Sequence, residues 1–220
     1  MLRRRGARGV LTALAVVAVA ASAAACSAED DSGHDGSHAA GVSISTAAED
    51  GPYAGRELAE PLPRPSFTLT DQTGAPFDFA ALTAGQPTLL FFGYANCPDI
   101  CPTTMADVAL ALRAVPDDVA SRTRVVFVTT DPARDTPDFL RDYLGQFDGN
   151  LPNDFVGLTG TLEQVEAAQT AAGVTLAEGD GTMHATTLLM FGPDDVARVV
   201  FAAGDTSDEI AQDLEVVAGG

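Results

Sequence analysis

Two cysteines with three residues between them, Cys97 and Cys101, are the residues of this sequence best suited to chemistry. An apolar run over Thr88–Phe92 predicts a short buried strand before them, and the apolar periodicity of Pro102–Val115 predicts a helix after them. Proline suits the first helical position, so we expect Cys101 at the helix start, where unpaired amides and the helix dipole favour a thiolate. Cys97 should lie in the loop nearby. Two thiols of low pKa at one place can form a disulfide, transfer electrons or bind a soft metal ion.

A further candidate ligand is His184, which stands just before an apolar run that begins at Ala185. It is separated from Cys101 by 83 positions, so only the fold can bring the two together. Two cysteines and one histidine are one ligand short of the four that a structural zinc site needs. The same set suits a three-coordinate copper ion, as Cu(I) or Cu(II). Taken alone, however, a single histidine before a strand is more often structural than a ligand.

Three parts of the sequence resemble the Sco/SenC family of thioredoxin-like copper chaperones. The first is Phe92–Thr104, which contains Cys-Pro-Asp-Ile-Cys-Pro. The second is Thr130–Pro137, which contains Asp-Pro-Ala-Arg-Asp-Thr, and the third is His184. The resemblance extends over about Phe67 to Val217, which is most of the chain.

The resemblance implies that Cys97, Cys101 and His184 bind one copper ion per domain. It further implies that the protein delivers this copper to the dinuclear copper centre of cytochrome c oxidase during assembly of that enzyme. The partners would be the copper-centre subunit of the oxidase and other exported copper carriers.

The alternative function is that of a thiol-disulfide oxidoreductase, which would use the same pair, Cys97 and Cys101, to reduce the cysteines of that copper centre or of other exported proteins. Reductases of the thioredoxin type have two residues between their cysteines and a proline just before the strand that faces them. This chain has three residues between its cysteines and no proline at positions 181–184. Both departures favour a ligand site, but they leave a redox role open.

Several residues near the predicted site have two interpretations each. A carboxylate between the cysteines either tunes copper affinity or sets the loop turn, and two methionines either contact the metal or, more often, pack in the core. The charged turn of the second motif is either a salt-bridged loop beside the site or a docking point for a partner. These residues are Asp99, Met105, Met183, Asp131, Arg134 and Asp135.

The first 25 residues have the pattern of a secretory signal: four arginines, an apolar run over Val10–Ala21, and small residues that lead to Cys26. A cysteine at that place is typical of a bacterial lipoprotein, in which Cys26 would be lipidated and become the mature N-terminus. We therefore expect an outward-facing protein anchored by lipid in the cell membrane. The position usually occupied by leucine in such sites holds Ala23, so a plain signal peptide is the alternative.

The sequence is strongly acidic, with a formal net charge of −19 over 220 residues. Removal of the leader takes away four of the 12 basic residues, all of them arginines, and leaves 8 against 31 acidic ones, a net charge of −23. Such a surface repels nucleic acid, so a nucleic-acid partner is excluded. If Cys26 is lipidated, Cys97 and Cys101 remain as an isolated pair, and a disulfide across three residues would stabilise the fold little.

The arrangement of the remaining segments predicts an α/β fold in which a thioredoxin-like central sheet is flanked by helices and preceded by an N-terminal hairpin. Residues 26–60 are predicted to be a flexible tether, in which His34 and His38 are solvated, and residues 61–220 the copper-binding domain. Besides the segments around the cysteines, the predicted strands are Phe67–Thr70, Pro76–Phe79, Arg124–Thr130, Phe155–Leu158, Ala185–Phe191 and Ala197–Ala202. The predicted helices are Pro137–Phe147, one capped by Thr159 or Thr161 that ends at about Ala172, and one capped by Asp205, Thr206 or Ser207 that ends at Val217.

Overall fold

Two parallel strands form the centre of the computed structural model, which describes residues 51–176 and 185–219. These strands, β4 (Thr88–Gly93) and β5 (Arg124–Thr129), consist largely of β-branched, leucine and aromatic residues, and nearly all of them are buried. Helices cover both faces of such a sheet, so its strands show continuous apolar runs rather than alternation. The predicted strand before the cysteines is therefore confirmed, and β4 ends four residues before Cys97.

The described residues contain eight strands and six helices. The strand order across the sheet is β1-β8-β7-β4-β5-β6-β2-β3, with β4, β5 and β6 parallel and the other neighbours antiparallel. In chain order the other elements are β1 (Arg56–Pro63), β2 (Thr68–Asp71), β3 (Pro76–Asp78), α1 (Phe79–Thr83), α2 (Ile100–Ala114), α3 (Asp117–Arg122), α4 (Pro137–Leu144), β6 (Val156–Thr159), α5 (Leu162–Ala171), β7 (Leu188–Phe191), β8 (Val196–Phe201) and α6 (Ser207–Ala218).

The sheet separates two apolar cores, because successive side chains of a strand point to opposite faces. From β4, Leu89 and Phe91 enter the core that also contains residues of α2, α3, α4 and α6. Leu90 and Phe92 enter the opposite core, which includes residues of α1 and α5. The predicted α/β sheet flanked by helices is confirmed, and so is the hairpin, whose strand β2 joins the sheet beside β6.

The N-terminal boundary of the domain differs from the predicted one, because β1 begins at Arg56 and its first five residues were assigned to the tether. This strand pairs with β8, which aligns Arg56 with Val200 and Leu62 with Ala197, and it buries Leu58. The strand contains Pro61 and Pro63, and proline disfavours a strand in the interior of a sheet. Proline is tolerated here because β1 lies at the edge of the sheet, where one side of the strand needs no ladder hydrogen bonds.

Two short helices, α1 and α3, were not predicted. Phe79, which was placed in the return strand of the hairpin, is instead the first residue of α1, where the Asp78 side chain accepts the Ala81 N–H. The Phe79 ring is fully buried and stacks on the ring of Phe67, with 4.9 Å between the two ring centroids. Helices of five and six residues are too short to produce a clear apolar periodicity.

A buried arginine joins the segment after β1 to the turn between β7 and β8. The Arg64 side chain is only 3% exposed and lies against the rings of Phe79 and Phe191. Its guanidinium donates to the carboxylate of Asp195, to the hydroxyls of Thr83 and Thr88, and to the carbonyls of Gln86 and Gly192. This one side chain therefore joins three stretches of the chain, namely its own segment, residues 83–88 and residues 192–195.

Several predictions fall on residues that lie outside the described ones. They are the leader, Cys26, the tether up to residue 50, Met183 and His184. Within residues 51–176 and 185–219, none of the helices has both the length and the apolar character needed to cross a bilayer.

Candidate metal centre

The two cysteines lie where the sequence predicted them, at the junction between β4 and α2. The helix begins at Ile100, so Cys101 is its second residue, and Cys97 lies in the loop before it. The backbone N–H of Cys101 points at the Cys97 sulfur, with 3.4 Å between the nitrogen and Sγ. Neither cysteine is in a disulfide. One sulfur is thus held directly over the first turn of the helix that carries the other.

The ionisation of the two thiols differs, which corrects the expectation that both have a low pKa. Burial opposes ionisation of Cys97, but the N–H groups of Asp99 and Cys101 donate to its sulfur and the pKa is lowered overall. Burial strongly raises the pKa of Cys101, which is fully buried, and its proximity to Cys97 and Asp135 adds to this. Cys97 is therefore the residue of the pair that ionises more readily, and the Cys101 thiol lies beside its sulfur as a hydrogen-bond donor.

Gly93, the last residue of β4, makes room for the Cys101 sulfur. A Cβ atom at this position would lie 2.9 Å from that sulfur and 2.7 Å from the Phe91 ring. The carbonyl of the same residue accepts the backbone N–H of Thr130 at 2.7 Å, which joins the start of the cysteine loop to the end of β5. The Cys97 N–H closes the following turn by donating to the Tyr94 carbonyl at 3.2 Å.

The charged turn after β5 contains a salt bridge, as one of its two interpretations predicted. Arg134 pairs with the buried carboxylate of Asp131. Asp135, however, points inward and is fully buried, and its Oδ2 accepts the Ala95 N–H at 2.9 Å and the Thr129 hydroxyl at 2.6 Å. The sequence placed Asp135 in the turn but carried no signal for this contact, because it joins residues 40 positions apart.

The other candidate residues have clear places. Met105 is fully buried in the core beneath α2, which confirms the packing interpretation. Asp99 is exposed and precedes α2, and its side chain makes no capping hydrogen bond. Among the described residues, no three histidine, cysteine or acidic side chains form a cluster that could hold a metal ion. His184, the predicted third ligand, lies outside those residues, and its role stays a prediction.

This arrangement supports two kinds of chemistry. A partly exposed thiol of lowered pKa next to a buried thiol can bind a soft metal ion through both sulfurs once both are deprotonated. The same pair can attack a disulfide through Cys97 and release the product through Cys101. Geometry alone is compatible with both.

Comparison with known proteins identifies the family. The family model SCO1/SenC matches residues 56–219. A protein from Stutzerimonas stutzeri that is named for copper binding is 37% identical over 140 residues, which are 61% of this chain and 66% of that protein. The mitochondrial protein SCO2 of Saccharomyces cerevisiae is 39% identical over 101 residues, which are 46% of this chain and 32% of that protein. The chain thus spans about two thirds of the length of the Stutzerimonas stutzeri protein and about one third of the length of the yeast protein.

Solved structures agree in fold. The copper-bound structure of Bradyrhizobium japonicum ScoI has 33% sequence identity and a TM-score of 0.59, covering 71% of this chain and 99% of that one. The apo Sco1 structure from Thermus thermophilus has 28% identity and a TM-score of 0.64, covering 78% of this chain and all of that one. The predicted thioredoxin-like fold is confirmed. With its family model matched over most of its length, the chain belongs to the SCO1/SenC family.

Proposed function

We propose that this protein is an exported copper chaperone that delivers copper to the dinuclear copper centre of cytochrome c oxidase during its assembly. The cargo is one copper ion per domain, as Cu(I) or Cu(II), bound by Cys97, Cys101 and His184. The observation that carries the proposal is the pair of unbridged sulfurs held at one helix start, with the backbone N–H of Cys101 directed at the Cys97 sulfur. Thiolates are soft ligands that favour Cu(I).

Loading would begin at Cys97, whose sulfur is partly exposed and whose pKa is lowered by the N–H groups that donate to it. The Cys101 thiol would lose its proton to solvent as its sulfur joins the metal, so copper binding and proton release are coupled. A disulfide between the two residues offers no thiolate, and oxidation would therefore prevent loading. The copper-bound structure of a relative with 33% identity supports copper as the cargo.

The proposed location is the outer face of the cell membrane, with Cys26 as the lipidated residue and residues 27–50 as part of the tether. The proposed acceptor is the copper-centre subunit of the oxidase, and other exported copper carriers are the proposed donors. The acidic composition of the chain is compatible with a protein partner and unfavourable for nucleic acid.

A second candidate function, thiol-disulfide reduction, is favoured by one specific observation. The difference in ionisation between a partly exposed Cys97 and a buried Cys101 is also what a dithiol reductant uses. A reductase would act on the cysteines of the same copper centre or of other exported proteins. It has little need for a histidine ligand.

Complementation of a deletion strain separates the two functions, with oxidase activity measured at limiting and at excess copper. A chaperone predicts an oxidase defect that added copper partly relieves. It also predicts that alleles with Cys97→Ser, Cys101→Ser or His184→Ala fail to restore activity at limiting copper. If the His184→Ala allele complements fully while both cysteine alleles are inactive, the reductase is the correct function and copper delivery is not.

A further inference from the structure

Asp135 connects the second motif to the cysteine loop through a buried carboxylate. It lies between β5 and α4, and its side chain is fully shielded from solvent. Oδ2 accepts the hydroxyl of Thr129 at 2.6 Å and the backbone N–H of Ala95 at 2.9 Å. Ala95 is two residues before Cys97. The carboxylate therefore connects the end of β5 to the loop segment just before Cys97.

The rest of the loop is fastened by backbone contacts on either side of this bridge. The Thr130 N–H donates to the Gly93 carbonyl at 2.7 Å, and the Cys97 N–H donates to the Tyr94 carbonyl at 3.2 Å. Ala95 lies between these two contacts and donates its N–H to Asp135 instead of to a neighbour in the loop. Loss of the bridge would leave this N–H half-buried without its acceptor, and a buried donor without a partner destabilises the conformation that contains it.

The carboxylate does not help the site through its charge. Its negative charge disfavours a thiolate at Cys101, and burial raises the pKa of Asp135 itself. A fully buried carboxyl group is costly unless hydrogen bonds compensate for the loss of water. The hydrogen bonds observed here go to the cysteine loop and to the adjacent strand end. What this residue contributes to the site is therefore geometric.

We propose that Asp135 is a positioning residue for the copper ligands, which holds Ala95 so that the Cys97 sulfur stays over the first turn of α2. In that position the sulfur receives the N–H groups of Asp99 and Cys101 and lies beside the second sulfur. The copper part of this inference rests on the proposed function. The positioning of Cys97 does not, and it can be measured without metal.

The test compares Asp135→Asn and Asp135→Leu in the full chain, reduced and free of metal. Asparagine retains an oxygen that can accept the Ala95 N–H, whereas leucine has the same branched side-chain shape, is bulkier and has no acceptor. The first readout is the pH profile of Cys97 alkylation, followed by mass spectrometry. We expect Asp135→Leu to shift this profile upward toward that of an ordinary thiol, because the displaced sulfur loses its N–H donors. The Asp135→Asn profile should match that of the unaltered chain.

The second readout is affinity for Cu(I), measured by competition with a chromogenic chelator. Loss of a residue that orients a metal ligand typically weakens binding about 10- to 100-fold, and we expect that loss for Asp135→Leu and not for Asp135→Asn. Thr129→Val is the matched control. It removes the other hydrogen bond of Oδ2 and should lower thermal stability, but it leaves the Ala95 contact and should retain the Cys97 profile and the Cu(I) affinity.

Two results would overturn the positioning role: an Asp135→Leu chain with an unchanged Cys97 profile, or an Asp135→Asn chain as altered as the leucine variant. If Asp135→Leu does not fold, Asp135→Ala replaces it, with circular dichroism as the check on folding, and the same two results decide. An unaltered chain that binds no copper would refute the proposed function, while the alkylation profiles would still decide whether Asp135 positions Cys97.

Discussion

Cys97 lies in the loop before α2 and Cys101 in the first turn of that helix, and their surroundings give them different tasks. The N–H groups of Asp99 and Cys101 surround the Cys97 sulfur, which is partly exposed, whereas the Cys101 sulfur is enclosed by the core and the end of β4. A partly exposed thiolate is the natural first contact for an incoming ion or an attacked disulfide. The buried thiol reacts second, after it has lost its proton.

This difference predicts the order of alkylation in the reduced chain. Cys97 should react with iodoacetamide well before Cys101, and its rate should reach half of its maximum at a pH below that of an ordinary cysteine, since the reactive thiolate forms as pH rises through a lowered pKa. Cys101 should stay unmodified at pH 7 to 8, because its pKa is raised and its sulfur is buried. Mass spectrometry of digested samples measures both rates. Equal rates for the two residues would contradict the difference in environment.

At the scale of single residues, the sequence could predict that Cys97 and Cys101 lie together at a helix start, but not how burial changes their ionisation. Proline after Cys101 correctly predicted a helix start, because proline fits the first helical turn. The inference of two thiolates was wrong for Cys101, because the argument from the helix start ignores burial. Asp135 was recognised as part of a charged turn, but its contact with Ala95 follows only from the pairing of β4 with β5, which brings the ends of these two strands together.

At the scale of the secondary-structure elements, the hydrogen bonds of Arg64 are the contacts whose removal most directly tests how the elements are held together. Its five acceptors lie at the end of α1, on the segment just after it, at the start of β4 and in the turn between β7 and β8. The planar guanidinium can serve several acceptors at fixed angles, and an ammonium group cannot reproduce that fork. The edge strand β1 and the β7–β8 hairpin thus depend on one side chain for part of their attachment.

Arg64→Lys should therefore destabilise the fold by about 1–3 kcal/mol, since buried carbonyl and hydroxyl acceptors lose their donor. For a domain of this size the melting temperature should fall by roughly 2 to 10 °C, measured by circular dichroism. Arg141→Lys is the control, because that side chain is 54% exposed and pairs with exposed carboxylates. If Arg64→Lys and the control had the same melting temperature, the hydrogen bonds of Arg64 would contribute little to the stability of the fold.

Long apolar segments were predictable at this scale, whereas the short helices α1 and α3 and the edge strand β1 were not. The strands β4 and β5 and the helices α2 and α6 agree with their predicted ranges within a few residues, because each presents a sustained apolar pattern. The strand β1 was missed because it lies at the edge, is half exposed and contains two prolines. Its pairing with β8 depends on residues more than 130 positions away, which no local pattern encodes.

At the scale of the whole molecule, attachment to the membrane is predicted to depend on Cys26. The chain is strongly acidic and lacks lysine, so its surface does not attract anionic lipid. Two acyl chains on one residue would give a stable anchor, whereas a single weak signal would not. We expect Cys26→Ala to move the protein from the membrane fraction to the soluble extracytoplasmic fraction, as judged by immunoblotting of fractionated cells. Cys101→Ser serves as the control and should remain in the membrane. An unchanged distribution of Cys26→Ala would rule out the lipid anchor.

The central claim is that Cys97 and Cys101 together hold a copper cargo, and metal titration of the reduced full chain tests it most directly. Metal analysis after removal of unbound ion should give one copper per chain, and Cu(II) should produce strong visible absorption from charge transfer between thiolate and metal. A chain carrying both Cys97→Ser and Cys101→Ser should retain its fold, bind no copper at this stoichiometry and lack the absorption. Equal copper content and an unchanged spectrum in the double variant, or no copper bound by the unaltered chain, would contradict the claim.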